Sequence, residues 1–238
     1  MLWALRFHGA EFDALRTLDA SGWSGLLSFC DLAHLTLRLS EFDQALLPHW
    51  VKRRIAKNVT DNALRSVRIG ATYTELAEAL NEACVEHLVL KGFAQYPGYV
   101  TAPRLRVQSD IDLFCRQESI GRAYNTLVGL GYEADRTLEH VPADHWPAMV
   151  RKGNWEWRGN IFDPEMPPGV ELHYCLWNEA NERFAIAGVE QFWDRRITRE
   201  VGGLVFPGLD LADSLGYSAL HVLRNLFRGD WILRQVYE

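Results

Sequence analysis

Two aspartates separated by a single isoleucine, Asp110 and Asp112 in the run Arg106-Val-Gln-Ser-Asp-Ile-Asp-Leu-Phe114, lie inside a strand-like segment. Residues two apart in a strand share a face, so both carboxylates point the same way, and Ile111, Leu113 and Phe114 are expected to pack into the body. Two acids side by side on a buried strand repel one another and lose hydration, which keeps one of them protonated unless a cation lies nearby. Hard carboxylate oxygens at this spacing suit Mg2+, which retains several waters and is commonly shared with substrate phosphates. The chemistry favoured is phosphoryl or nucleotidyl transfer. The plainer alternative is an edge strand whose alternating acids face water.

The flanking segments bear on that choice. In Val85-Glu-His-Leu-Val-Leu-Lys-Gly-Phe-Ala94 an apolar, β-rich run stops at Lys91-Gly92. A strand ending in glycine lets backbone approach a ligand closely, and a helix N-terminus at that point offers unpaired N–H groups to phosphate. Lys91 adds a point charge. Downstream, Gly169-Val-Glu-Leu-His-Tyr-Cys-Leu176 alternates, with Glu171 and His173 on one face and Val170, Leu172 and Tyr174 on the other. Glu171 is therefore a candidate third carboxylate. His173 is a candidate metal ligand, proton shuttle or orienting group, or else a satisfied structural histidine.

A strand closing on Leu90-Lys-Gly92, the segment Arg106-x-x-Ser109-Asp-Ile-Asp-Leu, the segment Val170-Glu-Leu-His173 and a late helix carrying His221 and Arg224 occur in that order. Together they resemble the nucleotidyltransferase superfamily with the DNA polymerase β-like fold, within it an uncharacterised bacterial branch, over nearly the whole chain. The resemblance implies an α+β fold, a small mixed sheet with helices, between helical flanks. It implies that Asp110 and Asp112 hold Mg2+ or Mn2+, with Glu171 helping to bind a second ion or taking the acceptor's proton. Lys91, Gly92, Arg106, Ser109 and His173 would then contact a nucleoside triphosphate, and His221 and Arg224 would lie near its cleft. The implied reaction moves a nucleoside monophosphate to a hydroxyl of an unknown acceptor, whether small molecule, protein or RNA, with release of pyrophosphate.

Two departures from the superfamily pattern stand out. Phe93 occupies the position after the glycine where Gly or Ser is usual, and the stretch from Gly92 to Asp110 is long, so that Tyr96 to Pro103 forms an insertion or lid. Related chains also run on past Glu238, which implies a shortened or truncated helical lobe with Trp231 and Ile232 open to a partner. Phe93 and the abrupt C-terminus motivate an alternative, a nucleotidyltransferase fold that has lost turnover and acts as a binding or regulatory module. A kinase-like phosphotransferase lacks the expected Gly-rich phosphate loop.

Composition fits an enzyme in a reducing compartment. The chain has 238 residues, 48% hydrophobic and 24% charged, enough for one sizeable core and an accessory layer. Its net charge of -6 argues against broad attraction to nucleic acid. Basic clusters at Lys52-Arg53-Arg54 and Arg195-Arg196 read as solvated helix faces or partners of acids, with an RNA acceptor as the lesser reading. Cys30, Cys84, Cys115 and Cys175 lie far apart with no zinc spacing, so free thiols and no disulfide-linked partner are expected. The N-terminus lacks a signal-peptide pattern and no apolar run reaches the ~20 residues a membrane span needs, so the expected location is the cytoplasm, without membrane contact.

The pattern divides the chain into a helical region (1–84) of four or so helices, a catalytic core (85–206) and a C-terminal helical segment (207–238). Strands are predicted at 85–91, 107–115, 155–162 and 169–177, with a hairpin around Gly202-Gly203. Helices are predicted from Glu118 to Leu130 and, capped by Asp210, from Leu211 to about Phe227. Trp146, Trp155, Trp157, Trp177 and Trp193 are expected mainly to fill the core, with stacking on a nucleobase as the second possibility.

Overall fold

The computed structural model describes residues 12–98, 103–135, 144–230 and 233–237. After the short helix α1 (Asp13–Arg16), α2 (Ala20–Leu32) starts where the Asp19 carboxylate accepts a hydrogen bond from the Gly22 amide, and α3 (His49–Glu82) follows two 3-10 turns. The strands are β1 (His87–Val89), β2 (Asp110–Cys115), β3 (Tyr132–Ala134), β4 (Met149–Arg151), β5 (Gly169–His173), β6 (Ile197–Val201) and β7 (Leu204–Gly208). Helix α4 (Ile120–Gly129) follows β2, α5 (Glu179–Glu182) is a single turn, and α6 (Leu211–Arg228) and α7 (Leu233–Tyr237) close the described chain.

The seven strands form one mixed sheet in the order β3-β4-β5-β2-β1-β7-β6, an α+β arrangement. Its centre sets the functional geometry: β2 runs parallel to β5 with Asp112 opposite Glu171 and Phe114 opposite His173, and antiparallel to β1. Strand alternation sorts the two faces. Ile111, Leu113, Val170 and Leu172 pack with Ile69, Tyr73, Leu76 and Leu80 of α3 and Leu127 of α4. The opposite face carries Asp110, Asp112, Glu171 and His173. Phe114, expected beside Ile111 and Leu113, has the parity of the aspartates and packs edge-on to Trp193, with Leu88, Leu90 and Tyr217 in the same cluster.

Helix α3 differs most from expectation. Gly70 reads in sequence as a break, yet one helix of 34 residues runs through it, about 51 Å at 1.5 Å per residue. A Cβ at Gly70 would lie 3.0 Å from Cδ1 of Leu204, so the glycine makes room for the β6–β7 hairpin. The first half of α3 packs Val51 and Ile55 against Trp23, Leu27 and Leu39, and the second half packs against the sheet. Between these stripes lie buried polar residues. Asn62 donates to the carbonyls of Arg104 (2.9 Å) and Arg106 (3.1 Å), and Arg65 donates to those of Gln108, Asp163 and Met166, each at 3.0 Å. These bonds fix the chain that enters β2 and the loop that leads to β5.

The strand predicted at 155–162 is absent. Gly153-Asn154 and Gly159, at φ +72°, break the extended run, and the Trp155 indole N–H turns back to the Asp163 carboxylate at 3.1 Å. Trp155 and Trp157 do lie side by side, but Trp157 is 57% exposed and fills no core. The sheet is completed instead by β3 and β4, three residues each, too short to show alternation. The hairpin forms as the glycine pair requires, with Gly202 and Gly203 both at positive φ, and Asp210 caps α6 by accepting from the Asp213 amide. Cys30 and Cys115 are buried free thiols and Cys175 is half-buried, whereas Cys84 is exposed. Among the described residues no helix is long and apolar enough to cross a membrane. Trp231, Ile232 and part of the lid, Tyr99 included, lie outside the described residues.

Candidate active site

A cleft of about 480 Å³ opens between the sheet and α6. Asp110, Asp112 and Glu171 line it, and so do Lys91, Gly92, Arg106 and Ser109. The parallel register of β2 and β5 produces this convergence, because strand neighbours in register present side chains of equal parity to the same face. Helix α6 faces the acids with His221 and Arg224, which therefore also line the cleft.

Among the described residues, Asp112, Glu171 and His173 form a group that could hold a metal ion, their donor atoms lying within 4.8 Å of one another. Asp110 stands at the mouth of β2 on the same cleft, half-buried. Its carboxyl is pushed up to about 6 by burial and by the charges of Asp112 and Glu171, against the pull of Lys91. Asp112 behaves oppositely: burial acts against its charge, but Lys91 and His173 overcome it and hold the carboxyl well below its usual range. Nζ of Lys91 lies 2.6 Å from Oδ1 of Asp112. Burial disfavours the ammonium as well, and Asp112, with Glu171 and Asp110 behind it, keeps it charged.

His173 is fully buried behind the acids instead of lining the cleft. Its Nε2 lies 3.1 Å from Asp112 Oδ1 and 3.5 Å from Glu171 Oε2, and its Nδ1 lies 3.3 Å from Asp144 Oδ2. Burial alone would strip its proton, yet these three carboxylates hold the imidazole pKa well above its usual value. Asp144 is paired in turn with Arg224 of α6, which also donates to Nδ1 of His221 at 2.7 Å. The neutral form of His221 follows, its pKa driven down to about 2 by burial and by the cations Lys91 and Arg224.

The oxygen donors of Asp112 and Glu171, with Asp110 lining the same cleft, are of the kind a hard divalent cation takes. His173 fits it less well, since both ring nitrogens already face carboxylates. It is better suited to hold the acids in place.

Gly92 lines the cleft at φ +67°, where a Cβ would fall 2.2 Å from Nε2 of Gln108, whose amide is anchored to the Asp110 carbonyl at 2.7 Å. An L side chain there is strained by the backbone angle and requires the Gln108 amide to move. The helix looked for after Lys91 is a single 3-10 turn, Gly92–Gln95. Phe93 points away from the cleft into an aromatic cluster, 5.3 Å from Tyr73 and 5.0 Å from Phe206 between ring centroids.

A family model described as an uncharacterised nucleotidyltransferase matches residues 19–238. The chain belongs to this nucleotidyltransferase family. No curated protein and no solved structure matches it. Several residues of this family member's site gave no sequence signal. Asp144 and His145 sit in an irregular segment whose backbone hydrogen-bonds alongside β5, with the Tyr174 amide donating to the Asp144 carbonyl and the Trp146 amide to that of Leu172. His34 and Arg234 reach the cleft from opposite ends of the chain. No tryptophan lines the cleft among the described residues, so the stacking role is not realised in it.

Proposed function

We propose that this chain is a divalent-cation-dependent nucleotidyltransferase of the DNA polymerase β-like type, moving a nucleoside monophosphate from an NTP to a hydroxyl and releasing pyrophosphate. The observation that carries this reading is the placement of Asp112 opposite Glu171 on parallel strands, with Asp110 beside them at a cleft large enough for a nucleotide. Asp110, Asp112 and Glu171 would hold Mg2+ or Mn2+, which when bound supplies positive charge to the phosphate oxygens.

The protein groups have separate tasks. Lys91 and Arg106 supply positive charge to the phosphates, Lys91 as a point charge and Arg106 as a planar fork. Gly92 lets the ligand approach the backbone, and Ser109 offers a hydroxyl at the exposed start of β2. His173, charged and fixed by Asp144, orients Asp112 and Glu171. Glu171, less buried than Asp112, is the group placed to take the proton of the acceptor hydroxyl.

The test is incubation with each labelled NTP and Mg2+ or Mn2+, with a lysate of the source cell as the acceptor pool. Transfer of label that disappears in Asp112→Asn supports the reading. The close Lys91–Asp112 pair motivates a second one, a nucleotide-binding module without turnover, because an ammonium stands on an oxygen that a metal would use. Nucleotide binding that survives Asp112→Asn with no transfer in either protein would favour that module.

A further inference from the structure

His145 stands opposite His173 in an antiparallel bridge. Directly opposed residues of such a pair present their side chains to one face, and the face of His173 is that of Glu171. Backbone bonds close the bridge on either side of His145, the Tyr174 amide donating to the Asp144 carbonyl and the Trp146 amide to that of Leu172. His145 therefore reaches the acid cleft and lines it together with Glu171. Side-chain exposures of 22% and 21% leave both groups open to an ion arriving through the cleft.

The two ring nitrogens of His145 have different partners. Nδ1 lies 2.6 Å from the carbonyl oxygen of Trp146, and a carbonyl only accepts, so Nδ1 carries a proton and is the donor. Nε2 faces Glu171, 3.9 Å from Oε2, which is beyond hydrogen-bond range. With one proton on the ring, Nε2 is a bare lone pair facing a carboxylate, an arrangement that a cation between them relieves. Two donors each about 2.1 Å from one ion stand at most about 4.2 Å apart. The observed gap falls inside that limit. The other histidines of the site are engaged differently. His173 turns Nε2 to Asp112 and Nδ1 to Asp144, and His34 and His221 each face an arginine through Nδ1.

We propose that Nε2 of His145 is a ligand of the divalent cation bound through Glu171, and that this nitrogen gives the site a preference for a first-row transition ion over Mg2+. The proposal rests on the reading that the acid cleft holds a divalent cation. Carboxylates alone accept either kind of ion, whereas an imidazole nitrogen suits transition metals and Mg2+ keeps to oxygen and water. Mn2+ is the least tightly bound of that series, so a preference seen with Mn2+ is a strict test. The Trp146 carbonyl, bonded to Nδ1, fixes the ring and its tautomer, as the outer partner of a metal-bound histidine commonly does.

The experiment uses the full chain with Mn2+ alone as the probe, read by pulsed electron paramagnetic resonance and by titration of the free-ion signal, with Mg2+ as competitor. Bound Mn2+ in the wild type is expected to couple to a nitrogen nucleus and to resist displacement by Mg2+. His145→Gln is expected to lose the coupling and about tenfold in Mn2+ affinity, with a smaller change for Mg2+. Mn2+ bound to the wild type without nitrogen coupling overturns the assignment, and is the outcome if His145 is an imidazolium paired with Glu171. Coupling that persists in His145→Gln also overturns it, and makes His173 the ligand. Should His145→Gln fail to fold, His145→Asn is read in the same way, and absence of coupling in the wild type overturns the assignment without any variant. Mn2+ bound without nitrogen leaves the nucleotidyl-transfer reading standing, nitrogen-coupled Mn2+ in a protein that transfers no label removes only the reaction, and no Mn2+ binding overturns both.

Discussion

Lys91 and Asp112 form a buried ion pair, Nζ to Oδ1 at 2.6 Å, at the point where β1 and β2 lie side by side. Removing one partner strands the other charge in a poorly hydrated place. Lys91→Met is expected to destabilise the fold by about 3 kcal/mol, and adding Asp112→Asn to recover a good part of that loss. Urea unfolding of the two single variants and the double variant measures the coupling; additive effects would refute it.

Divalent cation binding provides a readout independent of catalysis. Mn2+ at millimolar concentration is expected to raise the melting temperature of the wild type by a few degrees, since a ligand at about 100 times its Kd adds about 2.7 kcal/mol. Asp112→Asn and Glu171→Gln are expected to lose that increment. Transfer activity should fall at least about 100-fold in each. A Mn2+ shift that persists in Asp112→Asn would move the metal elsewhere.

His87 sets an acid limit on stability. It is 4% exposed on β1, with Nε2 3.2 Å from the Tyr73 hydroxyl, and burial lowers its pKa from 6.5 despite the opposing influence of the Val85 backbone. The unfolded chain therefore binds this proton first as pH falls. The contribution is present in full above about 6.5 and drains away as pH drops below it toward the folded value. Denaturant midpoints between pH 7.5 and 5 are expected to decline in wild type and to decline less in His87→Leu. Parallel pH profiles would exclude His87 as the cause.

Gly92→Ala places a methyl group 2.2 Å from Nε2 of Gln108 at a backbone angle that disfavours side chains. A loss of about 2 kcal/mol is expected, together with weaker nucleotide binding because the Gln108 anchor on Asp110 is displaced. Circular dichroism melts and nucleotide titration check the two parts separately.

Arg65→Met tests the polar middle of α3. Three backbone carbonyls lose a charged donor in a site 2% exposed, so a loss of about 3 kcal/mol is expected, measured by urea unfolding.

Strand periodicity made the acid cleft legible, because Asp110, Asp112 and Glu171 follow from a spacing of two on adjacent strands, whereas His173, of the same parity, lies buried behind them. The Asp210 cap and the Gly202-Gly203 hairpin were legible too, each having a local cause. The extent of α3 was not, since a hairpin more than 100 residues away decides what Gly70 does. Nor were Asp144, His34 and Arg234, whose places depend on partners remote in the chain. Trp155 and Trp157 misled, because their alternation arises in a loop held by Asp163 and not in a sheet.

A single helix that contributes one end to each of two apolar clusters links their fates. Neither the α2 cluster nor the sheet can melt without removing half of the other's support, so heating is expected to produce one cooperative transition. The linkage also allows a lesion at Val51, far from the acids, to loosen the cleft.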